Sequence, residues 1–260
     1  MTSLPRLLLQ ALLLAAPTAA IAGASAPAAQ LPDGARVVVT WGERDGRALV
    51  GVQEHAREGI SPSTAQLALY ERDPGGTLRL RARSVAHAAW GPGGELYALQ
   101  QEAPGRPAQV VAIGEAGARV VVAAAADFAV STRGELAVLR RLPDYQMVLE
   151  LYAPDGTLRR ELAREQGHLS TPFFTPDGRA VLFVSARSGV ASLFRVPTAG
   201  GAAVQVTNHG RRRVEPGVVP PPHRRESIRF VEKGRLRYDA GAGELLEVEL
   251  QTGRAFEVRP

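Results

Sequence analysis

Residues Thr171 to Asn208 read TPFFTPDGRAVLFVSARSGVASLFRVPTAGGAAVQVTN, and the fold follows from this stretch. It holds four short strand-like runs: Pro172 to Thr175, Ala180 to Ser185, Ser192 to Val196 and Ala203 to Thr207. Pro176-Asp177-Gly178 separates the first two and Thr198 to Gly201 the last two. Asp bonds its local backbone and Gly tolerates positive φ, so both segments read as tight turns. The second run, Val181-Leu182-Phe183-Val184, has no polar alternation. A strand of that kind is buried on both faces, as in a sheet sandwiched between two others.

The same grammar extends in both directions. ERDGRALVGV at Gly46, GPGGELYAL at Gly94, STRGELAVL at Gly134, TPDGRAVLFV at Gly178 and PHRRESIRFV at Arg224 each join a turn to an apolar run. Subtraction gives spacings of 48, 40, 44 and 46, near the ~40 to 50 residues that one propeller blade needs. Third strands are expected at Gln66 to Tyr70, Gln109 to Ile113, Met147 to Tyr152 and Leu245 to Leu250, each closed by a Gly-bearing turn. Outer strands such as Thr157 to Leu162 regain polar residues, and no sustained helical period occurs. The expected fold is all-β, a β-propeller of about five four-stranded antiparallel blades. It starts on an inner strand near Val37 and ends on an outer strand near Phe256, so packing alone is expected to seal the ring.

The segment Thr171 to Asn208 resembles a WD-repeat-like blade of the TolB-type bacterial propellers. The resemblance rests on its Pro-x-Phe-x-Pro-Asp-Gly opening, its Phe-Val-Ser-x-Arg-Ser-Gly middle and its Gly-Gly…Val-Thr-Asn end, 38 residues in all. The other repeats keep the turn position with altered residues, as in Trp90-Gly91-Pro92-Gly93-Gly94, Ser131-Thr132-Arg133-Gly134 and Pro222-His223-Arg224-Arg225. The resemblance implies an antiparallel propeller, often of six blades, that binds proteins in the bacterial envelope. The short interval before the first strand leaves no room for the additional α/β domain of TolB itself, so a Tol-Pal role is not expected.

The N-terminus has the pattern of a secretory signal: Arg6, an apolar run from Leu7 to Ala16, and small residues at Ala20-Ile21-Ala22. The expected organisation is a signal peptide over 1–22, a short linker over 23–35 and the propeller over 36–260. That apolar run is about half of the ~20 residues a spanning helix requires, and none as long follows. There is no cysteine, which excludes disulfides, thiolate metal sites and a lipobox anchor. The expected location is therefore periplasmic or secreted, with no membrane span, and the chain is expected to be a monomer.

The formal charge is +5, and of 31 basic residues only Lys233 is lysine. An exported chain does not meet cellular nucleic acid, and arginines spread over its whole length read as a compositional bias before a nucleic-acid signature. The mature chain has no Gly-x-Ser-x-Gly elbow, His-Glu-x-x-His zinc site, phosphate-cradling loop or EF-hand loop. The five histidines, His55, His87, His168, His209 and His223, are widely separated. No metal, cofactor or catalytic set is therefore assigned. A propeller hydrolase or lyase would need paired carboxylates near the channel, for which Asp127 and Glu215 are the nominees. Trp41-Gly42 and Trp90-Gly91 occupy matching positions before turns and read as packing residues.

A binding face is better supported. Loops joining second to third strands, and those joining blades, should emerge on one side, with the Pro-Asp-Gly turns on the other. That side collects Arg140, Arg141, Arg187, Arg211, Arg212 and Arg213, together with the long loop Glu54 to Thr64. The expected function is a non-enzymatic envelope scaffold whose arginine-rimmed face meets an acidic protein segment or anionic polymer. The competing function is a hydrolase or lyase acting on an extracellular polymer. Glu54, Glu58, Glu102, Asp144, Glu165 and Glu215 lie among the same loops and can neutralise the arginines locally.

Overall fold

The computed structural model describes residues 31–54, 67–103, 105–189, 191–207, 228–232, 234–239 and 245–251, and the strand backbone of 255–258. The expected signal segment, Arg211 to Arg213, Glu215, His55, His209 and His223 lie outside the described residues.

The described strands form four-stranded antiparallel units. The first comprises β1 (Arg36–Arg44), β2 (Arg47–Gln53), β3 (Leu67–Arg72) and the first half of β4 (Leu78–Trp90). The second takes the rest of β4 with β5 (Leu96–Gln100), β6 (Ala108–Gly114) and the first half of β7 (Gly117–Val130). The third takes the rest of β7 with β8 (Leu136–Arg141), β9 (Gln146–Tyr152) and β10 (Leu158–Gln166). The fourth is β11 (Leu169–Phe174), β12 (Ala180–Ser185), β13 (Ser192–Pro197) and β14 (Val204–Gln205). The fifth is β15 (Arg229–Glu232), β16 (Arg235–Asp239), β17 (Leu245–Glu249) and β18 (Ala255–Val258). The all-β propeller architecture is therefore as the repeat implies.

Two strands serve two units each. Residues Leu78 to Ala82 of β4 pair with β3, whereas His87 to Trp90 pair with β5, and Val85 pairs on both sides. β7 makes the same transfer at Ala125, which pairs with Ala108 on one side and Arg140 on the other. Ser84 and Ala124, at φ 57° and 53°, mark the two crossings. The sequence reading has a loop at each of these places. None forms because Leu78 to Trp90 contains no Gly or Pro, so one left-handed residue bends the strand and a separate loop is unnecessary. Between units three and four the break is real, at Gly167 with φ 118°.

Packing between units explains the uniform burial of the middle strands. Every residue of β12 is buried, as are Leu136 to Leu139 in β8. Leu49 and Leu69 of unit one meet Leu96, Ala98 and Val111 of unit two. Tyr97, Leu99 and Val110 then meet Phe128, Leu136 and Val138 of unit three. Leu149, Leu151 and Leu162 meet Val181, Phe183 and Phe194 of unit four, and Leu182, Val184 and Leu193 meet Leu236, Tyr238 and Val248 of unit five. Trp41 and Trp90 both pack on the first of these clusters, with the Arg47 guanidinium 4.7 Å from the centre of the Trp90 ring. That is the packing role expected of them.

The last unit departs from the sequence reading in register. The turn assigned to His223, Arg224 and Arg225 would make Ser227 to Val231 a second strand, but Arg229 to Glu232 is the first strand of its unit. The turn that follows contains Gly234, at φ 84° and 56 residues beyond Gly178 by subtraction. The second strand of this unit, β16, alternates and lacks the uninterrupted apolar run of the other second strands. Leu236 and Tyr238 are buried while Arg235, Arg237 and Asp239 point to the other face, where Glu247 pairs with Arg235 and Arg237 at 3.2 and 2.9 Å. Among the described residues no apolar cluster joins this unit to the first. The apolar far face of unit one, including Val50, Val52 and Tyr70, meets Leu31 and Ala35.

Arginines tie neighbouring units together on the turn side. Arg44 donates to the carbonyls of Gly91 and Pro92, Arg119 to Asp155, Arg133 to Gly178 and Arg160 to Ala199. Guanidinium suits this because it reaches a carbonyl with one donor and keeps others for a second partner. Gly156 closes the β9–β10 turn at φ 92°, and a Cβ there would lie 2.4 Å from the Val121 carbonyl oxygen of unit two. Gly156→Ala combines left-handed strain with a backbone clash and is expected to cost about 2–4 kcal/mol. Gly34→Ala, at φ 76° with nothing within 4 Å, should cost about 1 kcal/mol from backbone strain alone. Denaturant midpoints of the two variants measure this, and equal losses would contradict the inter-unit contact.

Candidate functional site

The turn between β8 and β9 is where backbone and side chain are least explained by folding alone. Leu142 donates to the Gln146 carbonyl at 2.8 Å, and the two residues at the tip, Asp144 and Tyr145, have φ of 60° and 58°. Positive φ at both central positions is the mark of a type I′ hairpin turn, which normally takes Asn-Gly or Asp-Gly. Asp tolerates the left-handed region, whereas tyrosine has no local compensation there. The Tyr145 side chain is 87% exposed, so the conformation is not repaid by burial. The turn is braced from the next connection, because the Gly167 N–H donates to the Tyr145 carbonyl at 3.2 Å.

Beside this turn lies a cleft of about 410 Å³ between units three and four. Its floor is apolar and buried, from Leu139, Met147 and Leu169. Its rim carries Asp127, Arg141, Tyr145, His168 and Ser170. Asp127 stands on the β7 segment that begins unit three, where its Oδ1 accepts the Phe128 N–H at 2.8 Å. His168 is exposed in the link from β10 to β11. Arg141 is exposed at the end of β8 and has no hydrogen-bond or ion-pair partner among the described residues.

The arginines nominated from sequence divide sharply. Arg140 and Arg141 are adjacent on one strand, so the period of two sends them to opposite faces. Arg140 lies 3.3 Å from Glu150, a carboxylate 7% exposed, and the Tyr152 hydroxyl donates to the same Glu150 oxygen at 2.6 Å. Arg187 is held by Glu165, which also accepts from the Ser185 hydroxyl, and its guanidinium centre lies 4.8 Å from the Phe194 ring. Both arginines are thus engaged by glutamate, although each keeps about a third of its side chain in solvent. Glu54 is likewise taken up by Arg83 and by the Tyr70 hydroxyl, the latter at 2.9 Å. Local neutralisation therefore accounts for these three acids, while Arg141 alone of the described nominees reaches the cleft.

Sequence reasoning named Asp127, Arg141 and His168 for separate reasons and did not join them. Tyr145 was missed. The only signal for it is an aromatic residue in a Pro-Asp-x turn, which becomes meaningful once its φ and exposure are known. As for metal sites, no group of three His, Cys, Asp or Glu suited to one occurs among the described residues.

No family model matches the chain, and no curated protein matches it in sequence. Solved structures do match in fold. TolB from Acinetobacter baumannii aligns with a TM-score of 0.56 at 14% identity, over 76% of this chain and 50% of its own. A TolB protein from Agrobacterium tumefaciens aligns with a TM-score of 0.53 at 14% identity, over 80% of this chain and 76% of its own. Oligogalacturonate lyase from Vibrio parahaemolyticus aligns at 0.53 and 10% identity, over 82% of this chain and 61% of its own. The aligned part thus spans half the length of the Acinetobacter protein. The fold is that of the TolB-like β-propellers, and at these identities the likeness concerns fold alone.

The Arg140–Glu150–Tyr152 group has a measurable signature. Burial, and then the hydrogen bond to the Glu150 carboxylate, push the Tyr152 hydroxyl up to about 12. Burial also raises Tyr70 and Tyr97. Because the unfolded phenol ionises near ~10, stability from Tyr152 is intact below that pH and is lost as pH climbs toward the folded value. Ultraviolet titration of phenolate should show late ionisation, and its last step should be lost in Tyr152→Phe. Ionisation of every tyrosine near ~10 in the folded chain would contradict the network.

Proposed function

We propose that this chain is an exported, non-enzymatic β-propeller that captures a protein partner in the bacterial envelope through the cleft beside Tyr145. The observation that carries this reading is the exposed tyrosine on a strained, braced turn. Strain that packing does not repay collects at functional sites, and a rigid exposed aromatic over an apolar floor is the usual anchor of a protein interface. Met147 in the floor adapts to an incoming side chain, and Arg141 on the rim offers charge-assisted bonds to a carboxylate of the partner. An acidic segment bearing one apolar residue fits both features.

Export rests on the Arg6 to Ala22 pattern, and an envelope location accords with the likeness to TolB propellers. No helix among the described residues is long and apolar enough to cross a membrane. The monomeric state and the absence of a nucleic-acid partner belong to the same reading. A polymer hydrolase or lyase is the competing function, since Asp127 and His168 share the cleft rim. Among the described residues, however, the deeply placed glutamates are engaged by arginine: Glu71 by Arg47 and Arg81, Glu135 by Arg133 and Arg159, Glu150 by Arg140 and Glu165 by Arg187. Carboxylates so paired brace strands and are poorly placed to exchange protons with a substrate.

Pull-down from envelope extract with the chain beginning at Gly23 should recover a defined protein, and Tyr145→Ala should weaken its capture at least about tenfold, as expected for an anchor worth more than ~1.4 kcal/mol. Tyr145→Gly should lose capture equally while melting at or above the wild-type temperature. Relief of left-handed strain, about 1–2 kcal/mol, meets or exceeds the ~0.5–1 kcal/mol entropic cost of glycine. Unchanged capture by both variants would sink the proposal. Polymer cleavage abolished by Asp127→Asn would favour the enzyme.

A further inference from the structure

On the opposite, turn-bearing side, between the same two units, lies a second cleft of about 470 Å³. Arg133, Arg159 and Arg160 line it, together with Glu135, Leu151, Pro154, Thr198 and Ala199. Glu135 is the one carboxylate in that lining, and it sits between Arg133 and Arg159 at 3.5 and 3.6 Å. Its side chain is 12% exposed, while Arg133 and Arg159 are 57% and 52% exposed. The buried acid thus attracts two guanidinium groups without hydrogen-bonding to them, and about half of each arginine side chain stays exposed.

The arginines on either side are anchored by neutral partners. Arg133 donates to the Gly178 carbonyl at 2.8 Å, and Arg160 donates to the Ala199 carbonyl. Glycine suits the position that follows, because Gly200 has φ 97° and a Cβ there would displace the Arg160 Nη1, 2.8 Å away. A carbonyl orients a guanidinium without cancelling its charge, and each group keeps unused donors. Three cations against one anion leave the lining at +2 by count. Asp155, on the adjoining β9–β10 turn, offsets this in part; its carboxylate accepts the Thr157 N–H at 2.9 Å, and its charge also interacts with Arg159.

We infer that this cleft binds a small multivalent oxyanion, either a phosphate or a polycarboxylate, held by Arg159 and Arg160 with Arg133 at the rear. Forked guanidinium donors match the paired oxygens of both groups, and the cavity has the size of a small-molecule site. The bound anion would bridge strands of unit three and the turn of unit four. It would therefore stabilise the folded chain by mass action, at a site distinct from the cleft beside Tyr145.

Calorimetric titration of the purified chain with inorganic pyrophosphate, and separately with citrate, tests this at constant ionic strength set by chloride. Saturable binding of at least one probe, with a rise in melting temperature, is expected. If pyrophosphate alone binds, the site is a phosphate site, and if citrate alone binds, it takes carboxylates. Arg159→Ala should weaken binding at least tenfold, because two charge-assisted bonds are lost. Arg159→Lys should fall between the two, and Arg79→Ala, the same charge change at an exposed position elsewhere, should bind as wild type. Absence of binding by both probes would overturn the inference. So would equal weakening in Arg79→Ala, which would indicate attraction by net charge alone.

Discussion

The constraint on which this structure depends is that the middle strands of its inner units are apolar on both faces. Such a strand cannot exist at the surface of a single sheet, because one of its faces would meet water. Leu182 and Val184 of β12 pack toward unit five while Val181 and Phe183 pack toward unit three, so neither neighbour can be removed without exposing a complete face. Each fully buried side chain of this kind is worth about 1.5–3 kcal/mol relative to exposure, which makes the stack of units the main source of stability in a chain without disulfides. Buried polar groups then have to be placed where arginine can reach them.

Arginine meets that need twice. Within units it spans from a second strand to a glutamate on the third, as Arg47 does to Glu71, Arg140 to Glu150 and Arg237 to Glu247. Between units it crosses to the carbonyl of the next turn, as Arg44, Arg119, Arg133 and Arg160 do. Lysine could replace neither role well, having no planar fork with which to hold two partners in fixed directions. The compositional bias that argues against a nucleic-acid surface therefore has structural use. Arg141 and Arg159 stand out against this background, the first because it lacks a described partner and the second because half of its surface remains in a cleft.

Much of the fold was legible from residues alone because a blade repeats its own local rules. The bounds of β12 coincide with the run Ala180 to Ser185, and Asp177 and Gly178 turn the chain where their chemistry requires. The reading failed where a rule was locally suspended. β4 and β7 run through their expected breaks because one left-handed serine or alanine does the work of a loop, and propensity gives no warning of that. β16 is not legible as an apolar run, because Arg235 and Arg237 alternate with its buried residues and face a charged surface. The cleft beside Tyr145 was only half visible. Asp127, the hairpin that carries Arg141 and Tyr145, and His168 come from three places in the chain; pairing of β7 with β8 joins the first two, and the link to unit four brings His168 to the same rim. The turn clefts thus differ from the blades themselves, whose pattern is local.

The two clefts lie between the same units but face opposite ways, which keeps the proposed protein capture and the inferred anion binding apart in space. The most direct test of the central claim is site-specific photo-crosslinking in the native host, with a photoreactive phenylalanine analogue at position 145 and, in a second variant, at position 155 on the turn side. A discrete crosslinked protein from position 145 and none from position 155 is the result this account predicts. No crosslink from position 145, or the same products from both positions, would contradict it.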